Sequence, residues 1–339
     1  MDPIIPTVDF ASDTPEKQAE IIKNALGSVG FFAVLNAGPK VEDTEAMFEH
    51  SKSFFSLSMA DKELYLAGKS GSGYTKLLSQ ALGEGKRDHK ETFSYGKYCS
   101  LEEQPMPSPF KDDSSIYETI KRFYDGCHEV SERLMELFAL ALELPKEHFR
   151  QSHSYGLNTA MSLIHYPALS KNEEMKLTEM DIRAGEHRDW GTLTMLFQSS
   201  TPQPGLQISL PRSIIHANNP SRKNGNDYED TYEWYDAPVP AKGGFLVNVG
   251  LGMELWSNGM YKATLHRVIF PVSEGEKSGT TKDRYSMAFF VQPDDNVAFQ
   301  PILPGGKIDN TIKAITSGEL FNSKLQESMD RFKAIPNVA

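Results

Sequence analysis

Two side chains that can bind a metal ion, His187 and Asp189, are separated by one residue in the stretch EHRDWGTLTML, residues 186–196. On an extended strand, residues i and i+2 point to the same face, with Cα atoms about 6.6 Å apart. The pair could therefore hold one ion from one side. By itself it is equally compatible with two polar residues on a strand that reaches the surface.

A third candidate ligand is His266, which lies in the predicted strand YKATLHRVIF with apolar neighbours on both sides. A single histidine in a strand is more often structural, but its pairing with the His-x-Asp motif favours a metal site. Two histidines and one carboxylate, with other positions open, form the ligand set of non-haem Fe(II) oxygenases. The remaining histidines have simpler interpretations. We expect His216 in a polar insert and the others at the surface: His50, His89, His128, His148 and His153.

A third motif is Arg-x-Ser in the predicted strand RYSMAFF, where Arg284 and Ser286 share one face. A guanidinium fork beside a hydroxyl suits bidentate binding of a carboxylate. An arginine that starts a strand at the surface is common. This motif indicates an anion site only in combination with the His-x-Asp motif and the distal histidine that precede it.

The elements that must position these residues fall into two groups. The N-terminal part is mixed and mostly helical, and its clearest helix, residues 114–144, has apolar residues at steps of three and four. From about residue 158 the sequence consists of short strand-like runs separated by Gly, Pro and Asn, which predicts a sandwich or jelly roll. These runs are NTAMSLIHYP, HRDWGTLTMLF, GLQISL, GGFLVNVG, YKATLHRVIFP and RYSMAFFVQP. Two polar inserts, 211–232 and 273–283, are candidate lids or disordered loops.

Composition narrows the class of protein. The chain has 339 residues, a formal net charge of −11 and no basic stripe, which argues against a nucleic-acid partner. It has no apolar run long enough to cross a membrane and no signal-peptide pattern. Its two cysteines, Cys99 and Cys127, form no CxxC motif and favour a reducing compartment. We therefore expect a cytoplasmic protein without membrane or nucleic-acid partners, either a monomer or a homodimer.

The ordered motifs resemble those of the Fe(II)/2-oxoglutarate-dependent oxygenases of the isopenicillin N synthase-like family. The resemblance covers nearly the whole chain through IPTVDF, GSVGFFAVLNAG, the GY…D-x-KE-x-F stretch of residues 73–93, HRDWGTLTMLFQ, PGLQI, GGFLVNVG, WSNGMYKATLHRV and RYSMAFF. The sequence departs from the family pattern at Ala37, where histidine is usual, and at Leu251, where aspartate is frequent. The resemblance implies a mainly β fold with flanking helices, built on a double-stranded β-helix (a cupin-like jelly roll).

The resemblance also implies roles for individual residues. His187, Asp189 and His266 would bind Fe(II), and Arg284 and Ser286 would bind the distal carboxylate of 2-oxoglutarate. Tyr166 in IHYP would add a hydrogen bond to this cosubstrate. Candidate substrate contacts are His165, Trp190, Phe93 and Arg188, although strand alternation is expected to turn Arg188 away from its neighbours. We predict an N-terminal mixed α/β region over 1–110 and the oxygenase core with its scaffold and C-terminal helices over 111–339, as one structural unit.

The implied reaction is oxidation of a C–H bond of a small-molecule metabolite, coupled to decarboxylation of 2-oxoglutarate to succinate and CO2 with O2 as oxidant and ascorbate as an optional reductant. Hydroxylation is the leading expectation, with desaturation or ring rearrangement as other outcomes. Two alternatives stay open from the sequence. One is an isopenicillin N synthase-like oxidase that uses no 2-oxoglutarate, and the other is a catalytically silent jelly-roll binding protein.

Overall fold

The computed structural model describes residues 3–68, 71–96, 107, 110, 112–153, 158–174, 176–177, 181–199, 205–216, 231–270 and 281–335. Within these residues the helices α1 to α8 are Pro15–Ser28, Val41–Phe55, Met59–Glu63, Ser114–Ala141, Lys171–Glu174, Arg212–Ile215, Leu251–Trp256 and Ser317–Ala334. The strands β1 to β14 are Thr7–Asp9, Phe31–Leu35, Gly73–Thr75, Glu91–Tyr95, Ala160–Tyr166, Ile182–His187, Leu193–Gln198, Leu206–Pro211, Tyr232–Asp236, Phe245–Val249, His266–Ile269, Arg284–Val291, Ile302–Leu303 and Lys307–Ile308.

Local sequence signals account for the long helices. Thr14 caps α1 by accepting a hydrogen bond from the Lys17 amide, and proline occupies the first turn. The helix α8 begins with a capping box in which Thr316 and Glu319 bond reciprocally. The predicted scaffold helix is α4, and its apolar stripe is buried from Ile120 to Ala141. Cys127 belongs to that stripe and is buried with it.

Two sheets form the β core. The larger sheet has the strand order β1-β2-β10-β7-β12-β5-β4-β3, and the smaller sheet has the order β6-β11-β8-β9. One apolar core joins the larger sheet to the helices, including α1, α2 and α4. A second, smaller core includes residues of both sheets, such as Ile164 and Ala288 from the larger and Ile208 and Val268 from the smaller. The molecule is therefore a two-sheet sandwich whose larger sheet is covered by helices on its outer face.

The structure corrects one predicted strand. HRDWGTLTMLF was interpreted as a single strand, but β6 ends at His187 in the smaller sheet and β7 begins at Leu193 in the larger one. The intervening residues cross from one sheet to the other. Asp189 therefore lies in a turn, and its position relative to His187 is not set by strand alternation.

The polar inserts lie largely outside the described residues, namely at 217–230 and 271–280. Residues 211–216 of the first insert form the end of β8 and the helix α6. The lid hypothesis for both inserts stays a prediction, as does the division of the chain at 110/111. Among the helices in the described part of the chain, none has the length and apolarity that a membrane crossing needs.

Candidate active site

His187, Asp189 and His266 come together at one end of the space between the sheets. Each offers one ligand atom, and these three atoms lie within 4.8 Å of one another. The Nε2 atoms of His187 and His266 are each 3.8 Å from Asp189 Oδ1. Two imidazoles and a carboxylate thus converge on one point, as the sequence predicted.

Strand pairing brings the two histidines together. β11 runs antiparallel to β6 with His266 opposite His187, and the two ring centroids are 4.3 Å apart. His187 Nδ1 lies 2.7 Å from the Gly185 carbonyl oxygen and His266 Nδ1 lies 3.0 Å from that of Thr264. Because a carbonyl only accepts, both Nδ1 atoms carry the proton, and both Nε2 lone pairs are free for a metal.

The Asp189 carboxylate is oriented by two residues that the sequence argument missed. Its Oδ2 accepts hydrogen bonds of 2.7 Å from Thr194 Oγ1 and Asn248 Nδ2. The other oxygen, Oδ1, therefore faces the histidines. The backbone amide of Leu251 donates to the Asp189 carbonyl at 2.8 Å. Leu251, where the family frequently has aspartate, thus contacts Asp189 through its main chain. Thr194 was visible as a polar residue in an apolar strand, and Asn248 interrupts FLVNV in the same way.

The electrostatics match a divalent cation. Burial lowers the pKa of His187, with a further lowering by the neighbouring His266, so this imidazole is neutral at physiological pH. Burial opposes ionisation of Asp189, but the two histidines and the bonds from Asn248 and Thr194 outweigh it and lower the pKa of the carboxyl. The site therefore offers two Nε2 lone pairs, set by the hydrogen bonds of the Nδ1 atoms, and one carboxylate oxygen, a donor set that fits Fe(II).

Arg284 lies at another part of the same space, only 3% exposed. Its guanidinium donates to Ser286 Oγ at 3.3 Å and to Gln198 Oε1 at 3.1 Å, and it lies 5.0 Å from the centre of the Tyr166 ring. In the described part of the chain no carboxylate forms an ion pair with Arg284. A buried arginine without an acid partner is suited to an anionic ligand that brings the missing charge.

A cavity of about 740 Å³ joins the two groups, with the predicted metal ligands, Arg284, Ser286 and Tyr166 in its walls. Strand alternation selects its lining on the larger sheet. On β12, Arg284, Ser286 and Ala288 face the cavity. On β5, which pairs with β12 so that Tyr166 lies opposite Arg284, the cavity residues are again every second one.

Two of the four candidate substrate residues line this cavity. Trp190 does so and packs edge-to-face on Phe321 of α8, whose ring also faces the cavity. Arg188 lines the cavity and is otherwise exposed to solvent. It was expected to point away, but it lies in the turn after β6, where strand alternation no longer applies.

Phe93 and His165 are not brought to the site, which corrects their assignment as substrate contacts. Phe93 is fully buried in the helix-side core, with its ring 4.6 Å from that of Phe54. His165 Nδ1 lies 2.8 Å from Glu91 Oε1, and its ring stacks on Tyr285. Both residues lie on the outer face of the larger sheet because their strand neighbours Thr92 and Tyr166 face the cavity.

The remaining histidines are also less exposed than predicted. His153 is buried, with Nδ1 2.7 Å from the Phe149 carbonyl oxygen and Nε2 2.9 Å from Thr192 Oγ1. His50, His89, His128 and His148 are half-buried rather than exposed. A helical context in the sequence does not reveal which side of a loop or helix another element will cover.

Fold and site together define a jelly-roll protein that has a 2-His-1-carboxylate cluster and a nearby buried arginine without an acid partner among the described residues. Comparison with known proteins identifies the family. Residues 5–117 match the family model described as non-haem dioxygenase in morphine synthesis N-terminal, and residues 157–293 match the 2OG-Fe(II) oxygenase superfamily. The two matches together span about three quarters of the chain. The chain belongs to the Fe(II)/2-oxoglutarate-dependent oxygenases.

Individual relatives agree with this assignment. The 2-oxoglutarate-dependent dioxygenase traH of Penicillium crustosum is 28% identical over 92% of this chain and 90% of its own length. The proline hydroxylase buaE of Petromyces alliaceus is 27% identical over 87% and 88%. Neurospora crassa T7H, solved with α-ketoglutarate and thymine, has a TM-score of 0.77 and 25% identity, covering 95% of this chain and 97% of that one.

These comparisons confirm the predicted class. The chain has the double-stranded β-helix fold with flanking helices, and it is a 2-oxoglutarate-dependent dioxygenase that uses Fe(II), 2-oxoglutarate and O2.

Proposed function

We propose that His187, Asp189 and His266 bind the catalytic Fe(II). Arg284 and Ser286 bind the distal carboxylate of 2-oxoglutarate, and Tyr166 adds a hydrogen bond to this cosubstrate. The observation that carries this proposal is the convergence of two Nε2 lone pairs and one carboxylate oxygen within 4.8 Å, in a cavity that Arg284 also lines. Fe(II), 2-oxoglutarate and O2 together supply the oxidising power, with succinate and CO2 released as the cosubstrate is consumed.

The chain's own contribution is orientation and exclusion of water. Backbone carbonyls hold the two imidazoles in the tautomer that a metal requires. Thr194 and Asn248 hold the carboxylate, and Ser286 and Gln198 hold the guanidinium before any ligand arrives. Apolar side chains from both sheets, such as Leu206, Val268 and Phe290, line part of the cavity and help to exclude water from the reacting C–H bond.

We propose hydroxylation of a small-molecule metabolite as the reaction, in secondary metabolism. The proline hydroxylase and the dioxygenase among its relatives support this class. Trp190 and Arg188 are the proposed substrate contacts, since both line the cavity. A cytoplasmic location and a monomeric or homodimeric state, without nucleic-acid or membrane partners, complete the proposal, and light scattering after gel filtration tests the oligomeric state.

The test is a succinate-release screen. Purified enzyme is incubated with Fe(II), 2-oxoglutarate, ascorbate and O2 across classes of metabolite, and product masses are then recorded. A gain of about 16 mass units indicates hydroxylation and a loss of about 2 indicates desaturation, since one adds an oxygen atom and the other removes two hydrogen atoms. Substrate turnover without an equal amount of succinate would instead support the isopenicillin N synthase-like alternative. Absence of Fe(II) binding would support the silent binding protein.

A further inference from the structure

Lys90 is a second cation in the wall of the cavity, on the segment that leads into β4. Its side chain is only 10% exposed, and it lines the same cavity as the three predicted metal ligands. Lys90 therefore faces the cavity and not bulk solvent.

Asp88 holds Lys90 in this position. The fully buried Asp88 carboxylate lies 3.3 Å from Lys90 Nζ and also accepts the backbone amide of Gly185 at 2.9 Å. Gly185 packs so tightly on Gly83 that a side chain there would clash with the backbone. Asp88 thus fixes the lysine-bearing segment against the strand that ends in His187, which sets the position of Lys90 relative to the metal ligands.

The cavity wall itself carries one more positive than negative side chain, and the Asp88 carboxylate that pairs with Lys90 lies behind the wall and does not line the cavity. In the described part of the chain five charged side chains other than histidine line the cavity: Lys90, Arg188, Asp189, Arg284 and Asp295. Asp189 is assigned to the metal and Arg284 to 2-oxoglutarate. Asp295 is exposed and accepts a hydrogen bond of 2.7 Å from Asn158. Lys90 and Arg188 remain to face the substrate. The Lys90 ammonium has three N–H donors, and Asp88 is its ion-pair partner among the described residues.

We propose that the substrate is a small-molecule carboxylate whose anionic group binds Lys90, with Arg188 attracting it at the solvent side of the cavity. This inference rests on the proposed function and narrows its substrate class. A nearly buried ammonium that faces a cavity is stabilised by an anion brought by the ligand, and charge-assisted bonds to carboxylates are among the stronger hydrogen bonds in proteins. The carboxylate would anchor the molecule so that its apolar part reaches the metal.

The test uses matched pairs of carboxylic acid and primary amide as probes: L-proline and L-prolinamide, indole-3-acetate and indole-3-acetamide, cinnamate and cinnamamide. Equilibrium binding to the enzyme with Fe(II) and 2-oxoglutarate under anaerobic conditions is measured first, followed by stimulation of succinate release in air. We expect acids to bind at least about tenfold more tightly than their amides, since only the acid can form the charge-assisted bond.

Variants assign this preference to Lys90. Lys90→Met should remove the preference for acids while the KM for 2-oxoglutarate is unchanged, and Lys90→Arg should retain most of it. Because Lys90→Met leaves Asp88 without its lysine, Arg188→Gln, at an exposed position, provides a second variant with an expected severalfold loss of acid binding. Lys76→Met is the matched control, since Lys76 is a surface residue paired with Glu63.

Failure of the proposed function and failure of the carboxylate proposal give different results in these measurements. If the wild-type enzyme binds neither Fe(II) nor 2-oxoglutarate, the proposed function itself fails. If it binds both and releases succinate, but no acid of the panel is preferred over its amide, the carboxylate inference is overturned. The same holds if the preference survives in both Lys90→Met and Arg188→Gln.

Discussion

Both faces of the larger sheet carry buried polar residues, but those on the inner face line a cavity and those on the outer face bond to each other. On the inner face, Arg284 and Ser286 point into an open cavity, and Arg284 has no acid partner within the described residues. On the outer face Glu91 accepts hydrogen bonds from Lys62 at 2.8 Å, Tyr74 at 2.5 Å and His165 at 2.8 Å. Buried polar groups occur on both faces, and the difference lies in whether their partners are already present.

Glu91 and its three donors, Lys62, Tyr74 and His165, form an outer cluster whose hydrogen bonds are made within the protein. Burial opposes ionisation of Glu91, but the bonds from His165, Lys62 and Tyr74 outweigh it and lower the pKa of the carboxyl. A buried carboxylate with three donors from the protein is satisfied without a ligand. A polar residue near a site is therefore a candidate for function when the protein does not meet its hydrogen-bonding or charge requirement, as at Arg284.

Removing a predicted metal ligand from the cavity should have the largest effect on Fe(II) binding and activity. His266→Ala should lower Fe(II) affinity and succinate formation by more than about a hundredfold, because losing even a residue behind a ligand commonly costs ten- to a hundredfold. Anaerobic titration calorimetry and succinate release measure the two losses. His216→Ala, at a histidine bonded to Glu233 on the periphery, is the control. Retention of tight Fe(II) binding by His266→Ala would contradict the ligand assignment.

Breaking the outer cluster should affect folding instead of catalysis. Glu91→Ala leaves Lys62, whose side chain is 7% exposed, buried without its carboxylate. Removing one partner of a buried ion pair costs about 3–5 kcal/mol in the free energy of unfolding. Urea denaturation measures this loss, and Glu49→Ala at an exposed pair should change it by less than about 0.5 kcal/mol. A raised KM for 2-oxoglutarate in the folded variant, without loss of stability, would refute the division between the faces.

On the inner face, Arg284→Lys tests the geometry of the anion site. The charge is kept but the planar fork is lost, so the KM for 2-oxoglutarate should rise about tenfold to a hundredfold. Initial rates at varied 2-oxoglutarate measure this change. Arg122→Lys, on the exposed side of α4 and bonded to Asp43, should leave that KM as it is. An unchanged KM in Arg284→Lys would remove Arg284 from the cosubstrate site.

The smallest effect expected concerns pH and a buried residue outside the cavity. Burial lowers the pKa of His153 to about 4, whereas the unfolded chain titrates near 6.5. Between these values only the unfolded state binds the proton, so the stability contributed by neutral His153 is present above about pH 6.5 and is lost as the pH falls toward 4. The loss reaches about 2 kcal/mol by pH 5 and should be reduced in His153→Gln. Denaturation at several pH values measures it, and identical pH profiles for both proteins would contradict it.

The sequence by itself determined the types and local spacing of the chemistry. His-x-Asp, the distal histidine and Arg-x-Ser were recognisable because a metal and a carboxylate require particular side chains. The helices α1, α4 and α8 were predictable because caps and apolar periodicity act within a few residues. Strand alternation also separates Tyr166 from His165, because adjacent residues of β5 face opposite sides of the sheet and cannot both face the cavity.

Only the tertiary structure decided which partners each residue meets. The pairing of β6 with β11 sets His187 against His266, and the crossing of the chain between the sheets turns Asp189 toward both. The same packing buries Phe93 against Phe54 and places Lys90 in the cavity wall. Local sequence could not give these results, because pairing between distant strands and covering of a face by helices depend on contacts far apart in the chain.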